Sequence, residues 1–193
     1  MDCELLIQHI SRHIQLDKNE EAYFLSLIQL KTIRKKEFLV KQGEICKTEN
    51  FLLSGCMRTF TLNEQGEEQV VQFGIEDWWM GDLYSFLTQT PASYSIDALE
   101  DTVIAQITKE HLDNLYLQVP KFERFFRLIL QNAFIAQQDR IHQNLSLTAE
   151  QRYEEFIRKY PQLEQRITQK HIASYLGITP VFLSMLRRKR VNG

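Results

Sequence analysis

The amino-acid sequence predicts an α+β fold in which a barrel or sandwich of short strands precedes a long helix and a pair of short helices. Three observations support this prediction. Between residues 30 and 107, apolar residues alternate with a period of about two and glycines recur. Residues 121–145 contain no glycine or proline and repeat apolar residues at helical spacing. Residues 168–190 have the pattern of a helix, a tight turn and a second helix.

The N-terminal residues predict two short helices ahead of the strands. Apolar residues recur at helical spacing over residues 3–14, and Asp17 and Glu20 have the spacing of a capping box before the next apolar run. Short strands separated by glycine-containing turns follow, at residues 38–40, 50–53, 57–62, 68–73, 94–99 and 103–107. This density of short strands favours a barrel or sandwich over a parallel sheet.

The long helix predicted over residues 121–145 follows a short helix that Thr108 caps, and it carries two apolar stripes. One stripe consists of Phe122, Phe126, Ile129, Ala133 and Ala136, and the other of Phe125, Leu130, Phe134, Ile141 and Leu145. One stripe would pack on the strands. The stripe that ends in the small residues Ala133 and Ala136 needs another surface, and the same helix of a second copy is the simplest one. Burial of both stripes within one monomer is the alternative.

The C-terminal residues have the spacing of a helix-turn-helix unit. A capping box at Thr148 and Gln151 starts a preceding helix. Thr168 can then cap the first helix of the unit, Gly177 can end it in the left-handed conformation, and Thr179 with the following proline can start the second. In such units the second helix lies in the major groove of DNA. An ordinary helical hairpin packed in a core is the alternative.

The charge is divided unevenly along the chain. Residues 146–193 hold nine Lys or Arg and four Asp or Glu, a net of +5, while the rest carries −7 of the total −2. A basic C-terminal segment on an otherwise acidic chain indicates that this segment binds a polyanion. The basic run at residues 187–190 directly follows the second helix, which favours phosphate contact over a solvated terminus stabilised by the helix dipole.

The composition excludes several classes of protein. No run approaches the roughly 18 apolar residues of a membrane span, and the N-terminus lacks the pattern of a signal peptide, so we expect a cytoplasmic protein. The cysteines Cys3, Cys46 and Cys56 fit reduced thiols and fall short of the four thiolates that an iron–sulfur cluster takes. No histidine lies between residues 30 and 107, so a metal-dependent enzyme on the barrel is not expected. We predict no metal and no certain cofactor.

The order of these elements resembles the CRP/FNR family of bacterial transcription regulators, and most closely the short members common in Bacteroidetes. The resemblance is carried by residues 43–44, 51–55, 57–60, 66–68, 80–82, 98–101 and 167–186. It implies a cyclic-nucleotide-binding-like jelly roll with flanking helices over residues 1–117, a dimerisation helix over 118–145 and a helix-turn-helix DNA-binding domain over 146–193. It further implies a homodimer, with DNA and RNA polymerase as partners.

The resemblance also implies an effector pocket, whose residues here are Gly81, Asp82, Leu83, Ala92 and Ser93. Cyclic-nucleotide members of the family have Gly-Glu-Leu and an Arg-Ser or Arg-Thr pair at these positions. The alanine leaves a cyclic phosphate without its bidentate counter-charge, a loss on the order of 2–5 kcal/mol. We therefore expect an unidentified small-molecule effector other than cyclic AMP. Trp78 and Trp79, next to this turn, are expected to pack the roll and not to line the pocket.

The second helix of the unit also departs from the family pattern, because Pro180, Val181 and Ser184-Met185 replace the usual base-reading side chains. Apolar contact and DNA shape would then outweigh bidentate hydrogen bonds. The residues expected at phosphates are Thr168, Gln169, Lys170, Arg187, Arg188, Lys189 and Arg190. Those expected to face the groove are Thr179, Val181, Phe182, Ser184 and Met185. The wing hairpin of the family is missing or reduced to residues 190–193.

Together these observations predict a homodimeric, non-enzymatic transcription regulator that reads a near-palindromic DNA site with the helix starting at Thr179. The altered base-reading positions motivate one alternative. In it, the protein is a small-molecule sensor that acts through protein partners without specific DNA binding.

Overall fold

The computed structural model describes residues 3–192, with side chains as far as residue 190. Two short helices come first, α1 (Glu4–Ser11) and α2 (Lys18–Leu27). The predicted capping box of α2 is confirmed, because the Asp17 carboxylate accepts from the N–H of Glu20 at 2.9 Å and the Glu20 carboxylate accepts from the N–H of Asp17 at 2.8 Å.

The strands form two antiparallel sheets that face each other as a jelly roll, which confirms the predicted fold class. One sheet has the order β1-β8-β3-β6 and the other β2-β7-β4-β5. The strands are β1 (Gln29–Ile33), β2 (Phe38–Val40), β3 (Thr48–Ser54), β4 (Met57–Leu62), β5 (Glu68–Gly74), β6 (Trp79–Met80), β7 (Ser95–Ala98) and β8 (Thr102–Thr108). The prediction missed β1, which is mostly exposed and lacks alternation, and β6, which has only two residues.

Three helices complete the N-terminal part: α3 (Leu83–Thr88), which was not predicted, α4 (Lys109–Gln118) and the long α5 (Lys121–Ser146). The first two turns of α5 pack on the roll. Phe122 stacks on Phe24 with ring centroids 4.8 Å apart, and Phe126 packs on Trp79 at 5.2 Å.

The packing of α5 corrects the predicted dimer stripe. Phe122 and Phe126 are buried within their own chain, so neither is available to a partner. Ile129 is half-buried against the same core, while Ala133 and Ala136 are exposed. The exposed large apolar residues of α5 belong mainly to the other stripe and are Leu130, Phe134, Ile135, Ile141 and Leu145.

The C-terminal part consists of α6 (Ala149–Lys159), α7 (Leu163–Arg166), α8 (Gln169–Leu176) and α9 (Pro180–Asn192). The capping box at Thr148 and Gln151 is confirmed. Residues 190–192 extend α9 and form no wing, and Gly193 lies outside the described residues. No helix among residues 3–192 is long and apolar enough to cross a membrane.

A second hydrophobic core joins the C-terminal helices to the roll. Its members from the roll are Cys56, Phe60, Val70, Phe73 and Ile75, and its members from the C-terminal helices include Tyr153, Phe156, Ile172, Leu183 and Leu186. Extensive apolar contacts therefore connect the C-terminal domain predicted from residue 146 onward to the roll.

Candidate nucleic-acid interface

Helix α8 begins and ends at the predicted residues, and α9 begins at its predicted cap. The Thr168 hydroxyl accepts a hydrogen bond from the N–H of His171, which caps α8. Gly177 ends α8 in the left-handed conformation with φ +66°, and the N–H of Ile178 donates to the carbonyl of Ala173 at 3.0 Å. The Thr179 hydroxyl accepts from the N–H of Phe182 at 3.2 Å and caps α9.

Buried apolar residues hold α9 against α8. Leu183 is fully buried and Leu186 nearly so, and both lie in the core that contains Ile172 and Ala173. Leu183 is thus the buried contact, while the neighbouring Phe182 remains exposed. The caps and these contacts fix the direction of α9 relative to the rest of the molecule.

The opposite side of α9 presents apolar side chains to solvent. Val181 is 73% exposed and Met185 58%, and the exposed Phe182 lies beside them. Residues 181, 185 and 188 are three or four apart and share one face of the helix. Thr179 is exposed and Ser184 half-buried at the same end of α9. This face has the apolar character expected at the DNA groove.

The basic residues predicted to contact DNA phosphates differ in whether an acidic side chain of the same chain already pairs with them. Arg187 and Arg190 lie 3.4 and 3.6 Å from the Glu164 carboxylate, and the Lys189 ammonium lies 2.7 Å from Glu150. Arg188 and Lys170 are exposed and have no acidic partner within 4 Å among the described residues. Thr168 and Gln169 are also exposed, at the start of α8.

Helix α8 is seated on the edge strand β5 through a serine that the sequence did not single out. The Ser174 hydroxyl donates to the carbonyl of Glu68 at 2.8 Å and accepts from the N–H of Val70 at 2.9 Å. These are edge groups that would otherwise point away from the sheet. A serine in a helix gives no sequence signal for such a role, so prediction from the sequence alone missed it.

Two arginines strengthen this contact. The Arg166 guanidinium makes two hydrogen bonds of 2.8 Å to the Glu76 carboxylate and an ion pair with Glu100, and these carboxylates raise the pKa of Arg166. From α5, the Arg140 guanidinium stacks over the Tyr175 ring at 4.1 Å and reaches the carbonyls of Tyr175 and Val70. The long helix, the roll and the C-terminal unit therefore meet at Arg140.

A buried charge network lies beneath the first turn of α8. Arg58 bonds Asp97 at 2.8 Å and Glu68 at 2.6 Å. The His171 ring packs near this network with its Nδ1 buried and without a hydrogen-bond partner among the described residues. Burial, followed by the positive charge of Arg58, lowers the pKa of His171, which favours a neutral ring at this contact.

The predicted effector residues lie together, but the carboxylate of Asp82 is already engaged. The buried Asp82 carboxylate accepts from the N–H of Ser85 and the N–H of Ser93, each at 3.0 Å, and Ala92 is buried. A Cβ added at Gly81 would lie 2.6 Å from the carboxylate of Glu49.

This corner of the roll is acidic. Burial, and next the nearby charge of Asp82, raise the pKa of Glu49 to about 8. An anionic ligand at this turn would meet the carboxyl groups of Glu49 and Asp82. Residue 92 is an alanine, so it supplies no positive charge to offset them. Trp79 packs on Phe51 and Trp78 on Tyr160, which agrees with the packing role predicted for both.

A groove of about 510 Å³ opens beside the exposed stripe of α5, lined by Tyr116, Glu123, Phe126, Arg127, Leu130, Gln131 and Phe134. All three cysteines are buried, and within residues 3–192 no group of three His, Cys, Asp or Glu side chains is arranged to hold a metal ion.

Comparison with known proteins places these features in context. Residues 30–119 match the cyclic nucleotide-binding domain. An anaerobic regulatory protein of Haemophilus influenzae is 28% identical over 169 residues, which cover 81% of this chain and 64% of that protein. The chain thus spans less than two thirds of that relative.

Two solved structures have the same fold. FixK2 from Bradyrhizobium japonicum superimposes with a TM-score of 0.75 at 15% identity, covering 84% of this chain and 83% of that one. A transcriptional regulator of the CRP/FNR family from Eubacterium rectale gives a TM-score of 0.71 at 17% identity, covering 92% and 85%.

The carboxyl groups beside the predicted effector residues lead to a prediction about the binding of cyclic AMP. Titration of the protein with cyclic AMP in a calorimeter should give no binding in the low-micromolar range, because the cyclic phosphate finds the carboxyl groups of Asp82 and Glu49 and no arginine. The double variant Ala92→Arg/Glu49→Leu, which removes one carboxyl group and supplies a cation, should bind more tightly than the wild type. A low-micromolar dissociation constant for the wild type would contradict this interpretation.

Proposed function

We propose that this chain, whose residues 30–119 match the cyclic nucleotide-binding domain, is a homodimeric transcription regulator of the CRP/FNR type that binds DNA through α9. One observation carries the proposal. The caps and the buried Leu183 and Leu186 hold α9 in helix-turn-helix geometry, while its other face presents exposed apolar residues followed by basic ones.

The face of α9 suits a particular kind of DNA readout. Val181, Phe182 and Met185 are exposed apolar side chains, and the major groove offers them the methyl groups of thymine. Phosphate contacts would come from Arg188 beyond the groove-facing residues and from Thr168 to Lys170 at the start of α8. The protein would therefore read its site by apolar contact and DNA shape more than by bidentate hydrogen bonds.

The exposed stripe of α5 supports a dimer. Leu130, Phe134, Ile141 and Leu145 recur at steps of four, seven and four, a pattern close to the heptad spacing of paired helices. Residues 131–139 are exposed on every side in a single chain, although an isolated helix gains most of its stability from packing. The same helix in a second copy would cover this stripe and fill the groove beside Phe134.

A dimer along α5 would also set the spacing of the DNA contacts. The two copies of α9 would lie about 34 Å apart, one turn of DNA, and would read a near-palindromic site. The roll would respond to an effector other than cyclic AMP. RNA polymerase is the further partner that the family resemblance implies.

The dimer proposal predicts that one substitution on α5 separates the two copies. Phe134→Glu should convert the dimer into a monomer, because it places a charge in the apolar seam, while the 63% exposure of Phe134 leaves the fold of each chain unaffected. Light scattering coupled to size-exclusion chromatography at micromolar concentration measures the mass. Leu117→Glu, at a residue 76% exposed on α4, is the matched control and should remain dimeric. A monomeric wild-type protein would contradict the proposal.

The DNA-binding proposal is tested by selecting bound sequences from a random pool with the ligand-free protein. We expect a near-palindromic motif and an affinity that falls steeply with salt. Arg188→Gln should weaken binding to all sequences alike and reduce the salt slope by about 1, whereas Met185→Ala should change the base preference. Lys18→Gln, an exposed substitution on α2, is the control and should leave both quantities unchanged.

Weak binding without sequence preference, unaffected by Arg188→Gln and Met185→Ala, would contradict the DNA-binding proposal. It would favour a sensor that acts through protein partners.

A further inference from the structure

Helix α9 carries its basic residues on two opposite sides. Successive residues of an α-helix are rotated by about 100° around its axis. The exposed side proposed to enter the DNA groove, which we call the groove face, consists of Val181, Met185 and Arg188. Arg187 and Arg190 each follow a buried residue, Leu183 or Leu186, by one helical turn and share its side of α9. These two arginines therefore lie away from the groove face.

One carboxylate, that of Glu164 on α7, pairs with both of these arginines. Its oxygens lie 3.4 Å from the Arg187 Nε and 3.6 Å from the Arg190 Nη1. The buried Tyr153 of α6 donates its hydroxyl to the same carboxylate at 2.9 Å. The Glu164 side chain is only 20% exposed, so solvent screens these contacts less than it screens an ion pair on the open surface. Helices α6, α7 and α9 therefore meet at Glu164.

The second half of α9 has few other contacts that could hold it. Leu186 is the last buried apolar residue of this helix among the described side chains. The Lys189 ammonium lies 2.7 Å from the Glu150 carboxylate of α6, but these side chains are 70% and 43% exposed. Ion pairs with that exposure contribute little to stability. The contacts of Glu164 are therefore the main polar restraint on the direction of α9 beyond Leu186.

We propose that Glu164 is a positioning residue for DNA binding, which sets the direction of α9 through Arg187 and Arg190. This inference rests on the proposed function. It gives the two arginines a different role from the phosphate contact expected from the sequence, because both are directed toward α6 and α7, away from the side on which the duplex would lie. Arg188, on the groove face, then supplies the phosphate contact of this basic run.

The test measures the ratio between the affinity for a duplex obtained by the selection and the affinity for a scrambled duplex of the same length. Glu164→Gln should lower this ratio about fivefold, because it weakens two partly exposed ion pairs that hold α9 in the direction its base contacts need. Its affinity for the scrambled duplex should change less than about twofold, because that affinity depends on phosphate charge and not on base contacts.

Arg187→Gln distinguishes positioning from phosphate contact. This variant should lower the ratio by a similar factor and leave the salt slope unchanged, because Arg187 lies away from the duplex. A phosphate contact at Arg187 would instead reduce the slope by about 1, as expected for Arg188→Gln. The double variant Glu164→Gln/Arg187→Gln should lose no more than Glu164→Gln alone, because the two side chains act as a pair.

The matched control is Glu155→Gln, which removes one negative charge from the same C-terminal unit. Glu155 pairs with Arg158 of its own helix, α6, so this variant should keep the wild-type ratio. Thermal melting should show that each variant is folded. Arg187→Gln changes a side chain that is 34% exposed, so it keeps the inference testable if Glu164→Gln does not fold.

Three results would overturn the inference while leaving the proposed function intact. The first is a wild-type ratio in both Glu164→Gln and Arg187→Gln. The second is a salt slope lowered by about 1 in Arg187→Gln. The third is tighter binding of Glu164→Gln to both duplexes with a steeper slope, which would show that Glu164 keeps the arginines from phosphates. Absence of any sequence preference in the wild-type protein would overturn the proposed function and this inference together.

Discussion

The contact between α8 and the edge strand β5 is the interaction on which the rest of the structure depends. An edge strand presents unpaired N–H and carbonyl groups, and leaving such groups unsatisfied is costly when they are buried. Here the Ser174 hydroxyl satisfies one of each, at Val70 and Glu68. Because Phe73 of β5 packs on Phe156 and Tyr175, apolar burial surrounds this polar contact. Helix α8, which precedes α9, is therefore packed directly on the roll.

This arrangement explains how the long helix can influence α9. Arg140 projects from the exposed part of α5 and contacts Tyr175 of α8 and the carbonyl of Val70 of β5. Any partner that shifts α5 acts on the same residues that seat α8. The predicted effector residues lie on the same roll, but the N–H groups of Ser85 and Ser93 already hold the carboxylate of Asp82. Packing of the proposed second copy on α5 would therefore be a more direct route to α9 than a ligand at Asp82.

Sequence reasoning succeeded where the signal is local. The caps at Asp17, Thr148, Thr168 and Thr179 depend on hydrogen bonds that span only three residues, so spacing alone reveals them. It failed on α5, because both stripes are apolar and only the three-dimensional packing shows that the roll covers Phe122 and Phe126 and leaves Phe134 exposed. The contacts of Ser174, Arg140 and Arg166 join residues far apart in the chain, and no local pattern marks them.

Native-state hydrogen exchange tests most directly the claim that the C-terminal unit is built onto the roll. The amide of Val70 and the amides of residues 172–176 should open with similar free energies, close to that of global unfolding. Ser174→Ala should lower both together by about 1–3 kcal/mol, because it leaves the β5 groups without a partner. Fast exchange of residues 172–176 with full protection of β5, unaffected by Ser174→Ala, would show that the unit moves independently and would contradict the account.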